Sequence, residues 1–156
     1  AAAFIIIYLP LTLSFSILLL RKDAAWVLCF VVPVALIDTF GYLIGRKLGK
    51  HKLAPGVSPK KTWEGLAASI VAGVISSVLL VTFAAHQASY YGLILAAVLI
   101  LAAVFGDLAE SLIKRDLGVK DMSSWLPGHG GVMDRLDSIL PATLIAYLLV
   151  TLPLPL

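Results

Sequence analysis

Asp107, Glu110, Ser111 and Lys114 close a long apolar run at spacings i, i+3, i+4 and i+7, which places all four on one face of a helix. Leu108, Ala109, Leu112 and Ile113 fill the rest of the turn. A polar stripe at the end of a hydrocarbon helix must look into a protein interior or an aqueous cleft. An interfacial helix end, with Glu110 and Lys114 as an i,i+4 pair contributing about 0.2–0.5 kcal/mol, explains two of the four. It explains Asp107 poorly, because Asp107 lies a turn deeper, where an unpaired carboxylate is costly. Asp107 is therefore read as functional.

Downstream, Pro127-Gly128-His129-Gly130-Gly131 leads into a helix expected to begin near Val132. Glycines let the backbone approach a phosphate, and a helix N-terminus offers free N–H donors. No Gly-Lys-Ser/Thr follows and no G-x-G-x-x-G is present, so this is neither a P-loop nor a dinucleotide turn. Taken alone, the turn is as easily structural punctuation. Asp134 and Asp137, at i and i+3, could likewise be acids matching a helix dipole. The chain offers no His/Cys cluster, yet carboxylates collect at two helix ends. Oxygen-only ligands suit a hard cation, and a phosphate substrate suits Mg²⁺. For His129, phosphate contact or proton transfer stands level with a bond to its own loop.

The elements that must position these groups are apolar. Of 156 residues, 60% are hydrophobic and 13% charged, and the mean hydropathy is +1.01. A soluble domain could not hide that much apolar surface, so the expected class is an all-α, polytopic transmembrane bundle in one domain over residues 1–156. Five apolar segments approach the roughly 20 residues that cross a bilayer: 1–20, 24–46, 66–85, 90–114 and 139–156. Cys29 is alone, which excludes a disulfide framework and a cysteine metal site. Arg21-Lys22-Asp23 reads as a bare turn. No cleavable signal pattern is present.

Alternating the spans places two loops on one face. Arg46, Lys47, Lys50, Lys52, Lys60 and Lys61 lie in the first, and Lys114, Arg115, Lys120 and Arg135 in the second, against only Arg21 and Lys22 opposite. The positive-inside rule puts the rich face in the cytoplasm. Asp38 sits in the second segment, where an intramembrane carboxylate asks for a partner. Gly41, Gly45 and Gly49 follow as a small-residue ladder for close helix packing. Ser58 is expected to cap a helix beginning at Pro59, with Trp63 at the membrane interface. Lys60 and Lys61 suit an anionic-lipid patch or a phosphate.

Taken together, Ser111, Lys114-Arg115, Lys120-Asp121, Pro127, His129-Gly130-Gly131, Asp134-Arg135 and Asp137 resemble the signature of the phosphatidate cytidylyltransferase (CDP-diacylglycerol synthase) family. Gly49–Gly65 and Asp38–Arg46 extend the resemblance upstream, so that it runs from Asp38 to Asp137. Family members usually carry further membrane helices before this region. A chain beginning AAAFIII without Met is thus expected to be a C-terminal portion of a longer protein.

The resemblance implies transfer of CMP from CTP to phosphatidate in phospholipid biosynthesis, with Mg²⁺ as cofactor. It implies catalytic roles for Asp107, Lys114 and Asp134, with Mg²⁺ on Asp107 and Asp134. Substrate contact falls to Ser58, Lys60, Lys61, Ser111, Arg115, Lys120, His129, Gly130, Gly131 and Arg135, and support to Asp38, Glu110 and Asp137. CTP, phosphatidate and the bilayer are the expected partners, a homodimer is compatible, and nucleic acid is not expected despite the net charge of +3. The expected location is the bacterial inner membrane with the site facing the cytoplasm. Two other readings use similar residues: a CTP-dependent lipid kinase, and a transporter of a phosphorylated solute. Against transport, the polar groups gather at one face rather than at mid-membrane.

Overall fold

The computed structural model describes residues 2–54, 58–116, 118 and 138–151. The chain runs α1 (Ala2–Lys22), α2 (Ala24–Leu48), β1 (Lys52–Ala54), β2 (Ser58–Thr62), α3 (Trp63–Phe83), α4 (Ser89–Asp116) and α5 (Ile139–Thr151). The helical class is borne out. α2, α3 and α4 are long and apolar enough to cross a membrane. α5 is apolar and described over 13 residues; the rest of the segment expected from the sequence, 152–156, lies outside the described residues.

α3 shows how such a chain folds without a hydrophobic drive between its helices. Its buried positions are Gly65, Ser69, Gly73, Ser76, Ser77 and Val81, nearly all small. Its large side chains Val71, Ile75, Leu79 and Phe83 are exposed. This inverts the pattern of a water-soluble helix. It suits a bilayer, where lipid solvates the large residues and close backbone approach holds helices together. The protein is an integral membrane protein.

The tightest approach is between α2 and α3. A Cβ on Gly65 would stand 2.6 Å from the Gly41 carbonyl oxygen and 3.2 Å from Gly45 Cα, and one on Gly41 would collide with Ser69 Oγ. Ser69 Oγ also donates to the Ile37 carbonyl at 2.7 Å, bridging the two helices. The small-residue ladder read from the sequence is thus a packing seam. Since Ile37 meets Gly73 and Ser69 while Gly45 meets Gly65, the two helices are antiparallel. Gly92 of α4 lies against Ser77 and Val78 of α3, and Ile100 against Gly73, so α4 runs parallel to α2. α5 packs on α1 and α4. The core where they meet contains Phe30, Val34, Leu95, Leu99 and Ala142.

Two local expectations are corrected. Ser58 and Pro59 do not start a helix. Ser58–Thr62 is a strand, antiparallel to β1 with Lys52 opposite Thr62 and Ala54 opposite Ser58. The helix begins at Trp63, where Thr62 Oγ1 accepts the Gly65 N–H at 3.2 Å. A Thr cap followed by Trp-Glu outcompetes Ser-Pro because the strand pairing satisfies the backbone of the preceding residues. Asp23 is not a bare turn either. It is the single residue between α1 and α2, and its carboxylate caps α2 by accepting the Ala25 N–H at 2.9 Å.

Candidate functional site

Antiparallel packing brings the C-terminal ends of α2 and α4 beside the start of α3. A cavity of about 550 Å³ opens there, in the size range of small-ligand sites. α2 contributes Asp38, Thr39, Gly41 and Tyr42, and β2 contributes Ser58, Lys61 and Thr62. Gly65, Leu66 and Ser69 come from α3, Ala103, Val104, Asp107 and Lys114 from α4, and Ser138 from the residue before α5. Residues 100 apart in sequence thus share one wall.

Asp107 is the centre of the polar contacts. The Lys61 ammonium reaches its Oδ2 at 2.8 Å, and Ser111 Oγ, one helical turn on, donates to its Oδ1 at 3.4 Å. Lys114, a further turn along, lines the same cavity. Of the stripe read from the sequence, Asp107 and Lys114 therefore line a cleft, and Ser111 bonds Asp107 beside it. Asp38, a turn before Gly41 on α2, accepts from Ser138 Oγ at 3.4 Å. Tyr42, one turn later, takes a 3.0 Å hydrogen bond from the Arg46 guanidinium on its hydroxyl.

The strand that carries Lys61 is fixed to the first turn of α3. Trp63 N–H donates to the His51 carbonyl at 3.0 Å. The Glu64 carboxylate accepts the His51 N–H at 3.3 Å and meets His51 Nδ1 at 2.7 Å. His51, assigned no chemistry from the sequence, makes a clamp that holds the hairpin.

Of the sequence-expected residues, the structure brings together Asp38, Ser58, Lys61, Asp107, Ser111 and Lys114. Arg115 is exposed on the last turn of α4 and is not among the residues that line the cavity. Lys120, His129, Gly130, Gly131, Asp134, Arg135 and Asp137 lie outside the described residues, as do the side chains of Lys60 and Glu110. Thr62, Ser69 and Ser138 line the cavity without having been singled out. Ser138 could have been, since it directly follows the last acid of the polar stretch.

Among the described residues no three of His, Cys, Asp and Glu gather into a metal-binding group. The side-chain oxygen donors lining the cavity include the carboxylates of Asp38 and Asp107 and the hydroxyls of Ser58 and Ser138, all hard oxygen. That donor chemistry fits a hard divalent cation such as Mg²⁺ or Ca²⁺.

The fold and the site together define a helical membrane protein that gathers acids and lysines into one cavity at one end of its bundle. Residues 1–152 match the model of the cytidylyltransferase family, and the chain belongs to that family. It is 42% identical over 154 residues to a phosphatidate cytidylyltransferase from Mycobacterium bovis, covering 97% of this chain and 50% of that protein. One from Mycobacterium leprae is 45% identical over 154 residues, covering 97% of this chain and 49% of the relative. One from Brucella abortus is 38% identical over 139 residues, covering 86% of this chain and 52% of the relative. The chain spans about half the length of the curated relatives it matches.

Proposed function

We propose that the protein transfers CMP from CTP to phosphatidate, releasing pyrophosphate and forming CDP-diacylglycerol for phospholipid biosynthesis. The observation that carries this reading is the composition of one cavity. Asp107, Lys61 and Lys114 share it with the apolar side chains of Leu43, Leu66 and Val104, as a phosphate joined to hydrocarbon requires. The names of the relatives support the same reaction.

In this reading a phosphatidate oxygen attacks the α-phosphorus of CTP and pyrophosphate leaves. Both reactants are polyanions, so the protein's work is charge neutralisation and alignment rather than covalent catalysis. Lys61 and Lys114 enter the cavity from two elements and can contact different phosphates. Ser58, Lys60, Ser111, Arg115, Lys120, His129, Gly130, Gly131 and Arg135 add substrate contacts, and Asp38, Glu110 and Asp137 support them. Asp107 and Asp134 hold Mg²⁺, which when bound supplies Lewis-acid neutralisation of phosphate charge.

The test uses the full-length protein with Mg²⁺, phosphatidate and CTP labelled at either its α- or γ-phosphorus, followed by lipid extraction. Label is expected in lipid from α-labelled CTP alone. Lipid label from the γ position would mean a kinase, and none from either would favour transport.

The membrane is a bacterial inner membrane, with the cavity facing the cytoplasm. This placement is supported by the six and four basic residues of the two loops at the cavity end, against Arg21 and Lys22 opposite. It predicts the labelling pattern of single cysteines in a Cys29→Ala background. An impermeant thiol reagent applied to intact cells should label Gln87→Cys and spare Pro55→Cys. The reverse pattern would overturn the orientation.

A further inference from the structure

We propose that Lys61 is the resident counterion of Asp107, and that the carboxylate exchanges this ammonium for a divalent cation as CTP arrives, turning Lys61 to the triphosphate. The inference rests on the reading of Asp107 as an oxygen donor to Mg²⁺.

Three observations carry it. First, the ammonium sits on Asp107 Oδ2 at 2.8 Å, so a cation and Lys61 compete for one oxygen. Second, 37% of the Asp107 side chain is exposed, which leaves an aqueous route for the exchange. Third, the backbone at Lys61 is fixed on both sides, by strand pairing and by the Thr62 cap, so only the flexible four-carbon stem has to move. Lys61 and Lys114 border the same cavity, and a short swing keeps the released ammonium beside the phosphates.

The arrangement answers a problem of the empty site. A carboxylate near the end of an apolar helix needs a positive partner, and between turnovers no substrate-borne cation is at hand. A lysine standing clear of Asp107 would oppose a cation only by screened repulsion at a distance in the absence of nucleotide. A lysine that competes for Asp107 lowers cation affinity directly.

The experiment measures Mn²⁺ binding, as a paramagnetic substitute for Mg²⁺, by electron paramagnetic resonance on full-length protein in detergent without nucleotide. Lys61→Met is expected to bind Mn²⁺ about 10-fold more tightly than the wild type, since a neighbouring positive charge has gone. Lys61→Arg, which keeps the charge, should stay near wild type, and Asp107→Asn should lose the site. A second comparison guards against misfolding of the Met variant. Lys61→Cys in a Cys29→Ala background is modified with an aminoethyl or a methyl thiosulfonate, so that one folded protein carries or lacks the charge. The methyl adduct should bind Mn²⁺ more tightly. Equal affinity of the two adducts, with Asp107→Asn still abolishing binding, would overturn the exchange and leave the metal assignment standing. Unchanged Mn²⁺ binding by Asp107→Asn would overturn both.

Discussion

Asp107→Asn should reduce CMP transfer at least about 100-fold, a loss typical of removing one electrostatic group from a reacting centre. Asn keeps the size of the side chain and can still meet Ser111, so helix packing is undisturbed. What disappears is the negative charge that the Lys61 ammonium meets at 2.8 Å, together with the ligand proposed for Mg²⁺. Asp134→Asn should behave alike if the two acids hold one cation. The control is Asp23→Asn at the α1–α2 joint, where Asn caps a helix as well as Asp does. Label transfer from α-labelled CTP, with size-exclusion profiles to establish folding, decides the matter. An Asp107→Asn protein that is monodisperse and retains most of its turnover would show that the cavity is not the reacting site.

The second large effect concerns the seam. Gly65→Val should destabilise the protein by about 3 kcal/mol or more, beyond the ordinary range of overpacking. The new Cβ meets the Gly41 carbonyl oxygen at 2.6 Å and Gly45 Cα at 3.2 Å, and backbone cannot swing aside as a side chain can. α2 and α3 must therefore separate, carrying Asp38 away from Lys61. Ala67→Val, two residues further on an exposed face, adds two methyl groups where lipid receives them and should be nearly neutral. Thermal unfolding in detergent compares the two. A Gly65→Val protein as stable as Ala67→Val would mean that α2 and α3 do not touch along this line.

Much of this site was legible because helices have a fixed period. Asp107, Ser111 and Lys114 could be placed on one face from spacing alone, and the cost of an intramembrane charge singled out Asp38. The hairpin was not legible from the same signals, because Ser58-Pro59 satisfies the rules for a helix start as well as for a strand. Pro55-Gly56, a breaker pair lying between the two segments in the sequence, was an available signal against one continuous helix start. The contacts of Lys61 with Asp107 and of Asp38 with Ser138 span 46 and 100 residues. No local pattern encodes such distances, which follow from how the seam sets α2, α3 and α4 against one another. His51 with Glu64 is a smaller case of the same kind.

The inverted face of α3 also governs how its sequence can drift over generations. Along the line of Gly65, Ser69 and Gly73 almost any replacement adds atoms where another helix already lies. At Val71, Ile75 and Leu79 one hydrocarbon exchanges for another against fluid acyl chains. Inherited variation should therefore accumulate on the outside of the helix and be purged from the inside. The usual reading of a constant large apolar residue as core would then mislead. In this protein the record of ancestry is kept by its smallest side chains.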